Sequence, residues 1–67
     1  MDAKKLGKRI KIARVEADLT QTELANKIHA KQKSISRYET GASVPTIETL
    51  TKIANALKKS SAYFLER

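Results

Sequence analysis

Apolar residues recur along this chain at helical spacing. From Leu6, the residues Ile10, Ala13 and Ala17 follow at steps of four, three and four, which places them on one side of a 3.6-residue helix running from about Ala3 to Ala17. Thr20-Gln21-Thr22-Glu23 then fits a capping box: the threonine oxygen accepts from the amide three residues on, and the glutamate accepts from the threonine amide. A second helix therefore begins at Gln21, with Leu24, Ala25 and Ile28 on its buried side. After His29-Ala30-Lys31 a third helix carries Gln32 through Glu39, and Gly41 supplies its left-handed stop. Gly41 to Pro45 reads as the one extended loop, because a proline pushes the preceding residue away from helical geometry. Thr46 caps a fourth helix whose apolar stripe is Ile47, Leu50, Ile53, Ala54 and Leu57, with Glu48 suiting the dipole of its first turn. Ser60 caps a short fifth helix carrying Tyr63, Phe64 and Leu65. The pattern predicts an all-α fold, five helices around one core.

Composition narrows the class. A chain of 67 residues predicts a single domain over 1–67, with no internal repeat or linker. Without cysteine there is no disulfide framework and no thiolate site, and a lone histidine completes no metal cage, so neither metal nor cofactor is expected. His29 reads as a turn residue. The chain is 40% apolar and 31% charged, as in soluble globular proteins, and no apolar run reaches the roughly 18 residues of a membrane span. The lysines near Met1 precede no apolar signal region, so the expected address is the cytoplasm. Fourteen Lys and Arg against seven Asp and Glu give a formal charge of +7, a balance that suits a polyanion.

Where the basic residues lie decides what that charge means. Two short helices joined by a brief turn, over about 21–39, have the geometry of a helix-turn-helix, whose second helix enters the DNA major groove. On helix three, counted at about 100° per residue from Gln32, Ser36, Lys33 and Arg37 fall within about 140°, whereas Ser34, Ile35 and Tyr38 lie between about 200° and 300°. One face is polar and basic and the other is packable. Glutamine suits an adenine edge, and lysine or arginine suits guanine O6 and N7. Tyr38, on the packable side, reads as a core tyrosine with its hydroxyl near the surface. Lys4, Lys5, Lys8, Arg9 and Lys11 read as a solvated face adding long-range attraction. No phosphate-binding glycine loop, no nucleophile with a histidine and an orienting acid, and no positioned carboxylate pair is present, which argues against an enzyme. RNA is disfavoured because Tyr38, Tyr63 and Phe64 are the only aromatics and none lies on the reading face.

Three ordered segments carry a resemblance: Leu19 to Ala25 (LTQTELA), Ser34 to Gly41 (SISRYETG) and Pro45 to Leu50 (PTIETL). Together they resemble the Cro and phage-repressor type helix-turn-helix family, over nearly the whole length from Leu6 to Leu65. The resemblance implies a compact five-helix, lambda-repressor-like domain that binds a double-stranded DNA operator as a small repressor or controller protein. It implies base-reading or groove-edge roles for Gln32, Lys33, Ser36 and Arg37. Phosphate contacts are implied for Gln21, which also braces the reading helix, for Lys31 and Ser34, and for the backbone around Thr40, Gly41, Ala42 and Ser43 with the amino end of helix four. Arg14 and Glu39 match a pair that ties helix one to the end of the reading helix. The chain departs from the family at Asp18, His29 and Lys58, where glycine is frequent, at Lys31, where a serine or threonine cap is usual, and at Ser61, where an apolar residue is common.

Two surfaces remain for partners. Tyr63, Phe64 and Leu65 on the terminal helix are the favoured contact of a weak homodimer strengthened on DNA, since three consecutive apolar residues cannot all face one core. Ile12 and Val15 are either scattered surface apolars or a small contact patch. The competing function is a protein-interaction module, such as an antitoxin holding a partner protein, because this fold alone does not specify its ligand.

Overall fold

Four of the five helices begin where a side-chain oxygen takes up a first-turn amide, a group with no partner inside its own helix. The computed structural model describes residues 2–65. Within them lie α1 (Ala3–Glu16), α2 (Gln21–Lys27), α3 (Gln32–Thr40), α4 (Ile47–Ala56) and α5 (Ser61–Leu65). The Asp2 carboxylate accepts from the Lys4 amide at 2.9 Å, and Thr46 Oγ1 accepts from the Thr49 amide at 3.1 Å. The capping box is complete: Glu23 N donates to Thr20 Oγ1 at 3.0 Å, and Thr20 N donates to Glu23 Oε1 at 2.8 Å. Ser60 Oγ accepts from the Tyr63 amide at 3.3 Å. At α3, Lys31 offers no capping oxygen.

The helix ends share one device. Asp18, His29 and Lys58 have φ of 59°, 57° and 58°, and each stands just past a helix end. The following amides of Leu19, Ala30 and Lys59 donate back to Arg14, Ala25 and Ala54 carbonyls at 3.1, 2.9 and 2.9 Å, closing three Schellman turns. A left-handed residue at that position is usually glycine; here three side chains are held in the left-handed region at a cost of about 1 kcal/mol each. Gly41, with φ of 84°, ends α3 in the same region without that cost.

α1 packs chiefly on α3, and α3 on α2, while α4 and α5 close the remaining sides. The core comprises Leu6, Ile10 and Ala13 of α1, Leu24, Ala25 and Ile28 at α2, Ile35 of α3, Leu50, Ile53, Ala54 and Leu57 at α4, and Phe64 of α5. Gly7 lets α1 and α3 touch backbone to backbone. A Cβ there would stand 2.3 Å from the Tyr38 carbonyl oxygen and 2.7 Å from that of Glu39.

Three sequence expectations are corrected by this packing. Ala17, placed at the end of the α1 stripe, is exposed, because α1 ends at Glu16 and the chain turns away at Asp18. Ile47, read as part of the α4 stripe, is 66% exposed. It lies at the edge of the arc spanned by Leu50, Ile53, Ala54 and Leu57, roughly 20° beyond Ala54, and in the first turn of the helix. Phe64, grouped with Tyr63 and Leu65 as a dimer contact, is 2% exposed and belongs to the core, whereas Leu65 is exposed and Tyr63 is half-buried. α3 also runs one residue past Glu39, to Thr40.

Among the described residues no helix is long and apolar enough to cross a membrane, and no three His, Asp or Glu side chains are grouped to hold a metal ion.

Candidate nucleic-acid interface

α3 is amphipathic across its width. Ile35 is fully buried, Ser34, Ser36 and Tyr38 are half-buried, and Gln32, Lys33 and Arg37 are exposed, as is Lys31 immediately before the helix. Two cations and an amide thus share the solvent side of a helix whose other side is locked into the core. The backbone of such a helix is held in place by packing behind it, so only the exposed side chains themselves are left to be ordered when a ligand is met.

The first turn and the last turn of α3 are joined by a chain of polar contacts. Gln32 and Glu39 are seven residues apart, two turns of helix, and so line up along the edge where the solvent side of α3 meets the core. Glu39 is buried, its side chain 3% exposed, and its carboxylate receives Arg14 Nε at 2.6 Å on Oε2 and Arg14 Nη2 at 3.1 Å on Oε1. Arg14 also donates Nη1 to the Leu19 carbonyl at 2.7 Å, the residue that closes the α1 turn. The hydrogen bond to Glu39 raises the Arg14 guanidinium above its ordinary value, against the opposing cost of burial. Gln21, the first residue of α2, donates Nε2 to Glu39 Oε1 at 3.0 Å, and Gln32 donates Nε2 to Gln21 Oε1 at 2.6 Å. One ionic pair therefore connects α1, α2 and both ends of α3, and no buried side-chain nitrogen or oxygen among the described residues lacks a partner.

The loop after α3 is organised from its own residues. Arg37 Nε donates to Ser43 Oγ at 3.0 Å, and Ser43 N donates to the Arg37 carbonyl at 3.2 Å, folding the loop against the reading helix. The Gly41 amide donates to the Tyr38 carbonyl at 3.2 Å, and the Ala42 amide reaches Thr40 Oγ1 at 3.4 Å. Thr40 Oγ1 in turn donates to the Arg37 carbonyl at 3.2 Å. Of the segment matched to phosphate contacts, Gly41 and Ser43 thus spend their amides internally in the free protein, and the long, weak bond of Ala42 is the most readily exchanged. Sequence reasoning did not find the Arg37–Ser43 link; its only signal is a hydroxyl placed six residues after an arginine, and that spacing is common.

The arrangement defines the class: an all-α helix-turn-helix domain, α2 and α3 forming the motif and α1, α4 and α5 holding it. The chain belongs to the helix-turn-helix family of the Cro and phage-repressor type; a helix-turn-helix family model matches residues 10–64. It is 40% identical over 60 residues to the HTH-type transcriptional regulator ImmR of Bacillus subtilis, covering 90% of this chain and 47% of that protein. It is 44% identical over 52 residues to multiprotein-bridging factor 1 of Candida albicans, covering 78% of this chain and 34% of that protein. The chain thus spans a third to a half of the length of these relatives. Among solved structures, it superposes on the P22 c2 repressor in complex with a synthetic operator with a TM-score of 0.86 at 28% identity, covering 91% of this chain and 92% of that one.

Proposed function

We propose that this chain is a sequence-specific, double-stranded-DNA-binding domain of a transcriptional regulator, in its simplest form a small cytoplasmic repressor or controller, acting as one domain over residues 1–67. The observation that carries the reading is the exposed face of α3, with Gln32, Lys33 and Arg37 in solvent and their backs fixed by Ile35 and the Arg14–Glu39 pair. Gln32, Lys33, Ser36 and Arg37 contact bases or the groove edge. Gln21, Lys31, Ser34 and the Thr40 to Ser43 segment meet phosphates, aided by the amino end of α4. Arg37 reaches the groove with its terminal nitrogens while Nε stays on Ser43. The likeness to ImmR and to the operator-bound P22 c2 repressor supports this assignment.

Two copies bind inverted half-sites about one helical turn, near 34 Å, apart. They meet weakly through α5, by Leu65, which is 40% exposed, and by the half-buried Tyr63. Selection of binding sites from random duplexes tests the proposal. An enriched inverted repeat with that spacing is the expected result, and no enrichment over scrambled duplex overturns it. A second reading, a protein-interaction module, draws on Ile12 and Val15, exposed at 44% and 55% on the outer side of α1. Failure of selection, with a protein captured in an Ile12- and Val15-dependent way, would favour it.

A further inference from the structure

We infer that Ser43 is a positioning residue for base choice: its hydroxyl donates to a DNA phosphate while accepting from Arg37, and so presents the two terminal nitrogens of Arg37 to a guanine. The inference rests on the reading of Arg37 as a base contact and adds what turns its guanidinium.

A serine has two donors fit to meet a phosphate, its amide and its hydroxyl. The Ser43 amide is engaged at 3.2 Å by the Arg37 carbonyl, which also takes the Thr40 hydroxyl at 3.2 Å. The hydroxyl is only half engaged. Its oxygen accepts from Arg37 Nε at 3.0 Å, and its hydrogen meets no acceptor among the described residues. A hydroxyl that accepts from a cation becomes the stronger donor, because bonds in such a chain polarise one another. Ser43 is itself half-buried, and Pro45, two residues on, is buried, so the loop is anchored on both sides of this contact.

The loop holds Arg37 at two points, its carbonyl and its Nε. A guanidinium offers a bidentate partner either its side edge, Nε with one terminal nitrogen, or its end edge, the two terminal nitrogens. With Nε on Ser43 the side edge is closed, and the end edge carries two parallel donors. In the major groove guanine sets two acceptors, O6 and N7, side by side, whereas adenine sets its N6 donor beside N7, against one of the two. An untethered arginine turns either edge outward and reaches a phosphate as well as a base. The tether removes that freedom, and the phosphate that holds Ser43 selects guanine through it.

Competition binding of the whole chain on its selected duplex, with each base substituted and each phosphate replaced singly by an uncharged methylphosphonate, tests this. Arg37→Ala locates the base that Arg37 reads. Ser43→Ala keeps the main-chain bonds of the loop and should melt with the parent, and Ser43→Thr restores the hydroxyl. The expected result is that Ser43→Ala lowers the preference for guanine at that base by about threefold or more, leaves other preferences unchanged, and abolishes the sensitivity to methylphosphonate at one phosphate. In the parent, methylphosphonate at that phosphate lowers the same guanine preference, and Ser43→Thr behaves as the parent does. If Arg37→Ala flattens no position, the reading of Arg37 fails. If it flattens one, but that base is not guanine, or Ser43→Ala keeps the full preference or every phosphate sensitivity, this inference alone is overturned.

Discussion

Gly7→Ala is the substitution whose effect the structure specifies most directly. In the interior of a 14-residue helix, replacing glycine by alanine ordinarily stabilises by about 1 kcal/mol. Here the added methyl would lie 2.3 Å from the Tyr38 carbonyl oxygen, 2.7 Å from that of Glu39 and 2.9 Å from the Glu39 carbonyl carbon. All three are backbone atoms in the last turn of α3, so no side-chain rotation relieves the contact. α1 must shift away by about 1 Å to restore ordinary separation. That shift loosens Leu6 and Ile10 in the core, the kind of overpacking that costs about 1 to 3 kcal/mol or more. It also strains the Arg14–Glu39 contact, which joins the same two helices. With three backbone contacts under 3 Å the loss lies at the upper end of that range and outweighs the propensity gain, leaving a net destabilisation of about 1 to 2 kcal/mol, or about 5 to 15 °C in Tm for a domain of this size. Thermal and urea unfolding followed by circular dichroism measure it, with Lys8→Ala on the exposed side of α1 as the control, expected within about 0.5 kcal/mol of the parent. A Gly7→Ala protein that melts at or above the parent temperature would refute the close crossing of α1 and α3.

Arg14→Met should destabilise by about 3 to 5 kcal/mol, because it strands a carboxylate that is 3% exposed, and a double-mutant cycle with Glu39→Gln should show coupling in urea unfolding; additivity would mean that the two groups act separately. Gln32→Ala and Arg37→Ala should each reduce discrimination between the selected site and a scrambled duplex by about 1 to 3 kcal/mol in fluorescence anisotropy, whereas Lys5→Ala should weaken all duplexes slightly and equally; unchanged discrimination in both reading-face variants would remove α3 from the interface. Affinity for the site should fall as salt rises, with a log-log slope of about 0.9 per cationic phosphate contact, and binding indifferent to salt would contradict an electrostatic interface. The Thr20 amide and hydroxyl hold the Glu23 carboxyl below its ordinary value, so its contribution is complete above the unfolded-chain value and is lost as pH falls through the lower folded one. The Tm advantage of the parent over Glu23→Gln should accordingly shrink on acidification, and a constant gap from neutral to strongly acidic pH would show that the carboxylate form has no special role in the cap.

The amino-acid sequence by itself determined where the helices start and stop and which side of each is apolar. Those features depend on contacts within about four residues: Thr20 with Glu23, Thr46 with Thr49, Gly41 in its left-handed turn, and the Leu6, Ile10, Ala13 stripe. A face defined by such spacing survives any arrangement of the helices, which is why the exposed row of Gln32, Lys33 and Arg37 was legible before the fold. Only the tertiary structure decided how far each apolar side is covered. Periodicity places Ile47 on the apolar side of α4, and the consecutive Tyr63, Phe64 and Leu65 read as one contact surface, but Phe64 meets the core while Ile47, in the first turn of α4, does not. Gly7 reads as an ordinary break in helix propensity until the α3 carbonyls are placed against it. The polar chain behind the reading face joins residues 25, 18 and 11 positions apart, separations at which local pattern carries no distance information. The order of donors and acceptors along that chain exists only once the packing of three helices has put one buried carboxylate beside an arginine and a glutamine.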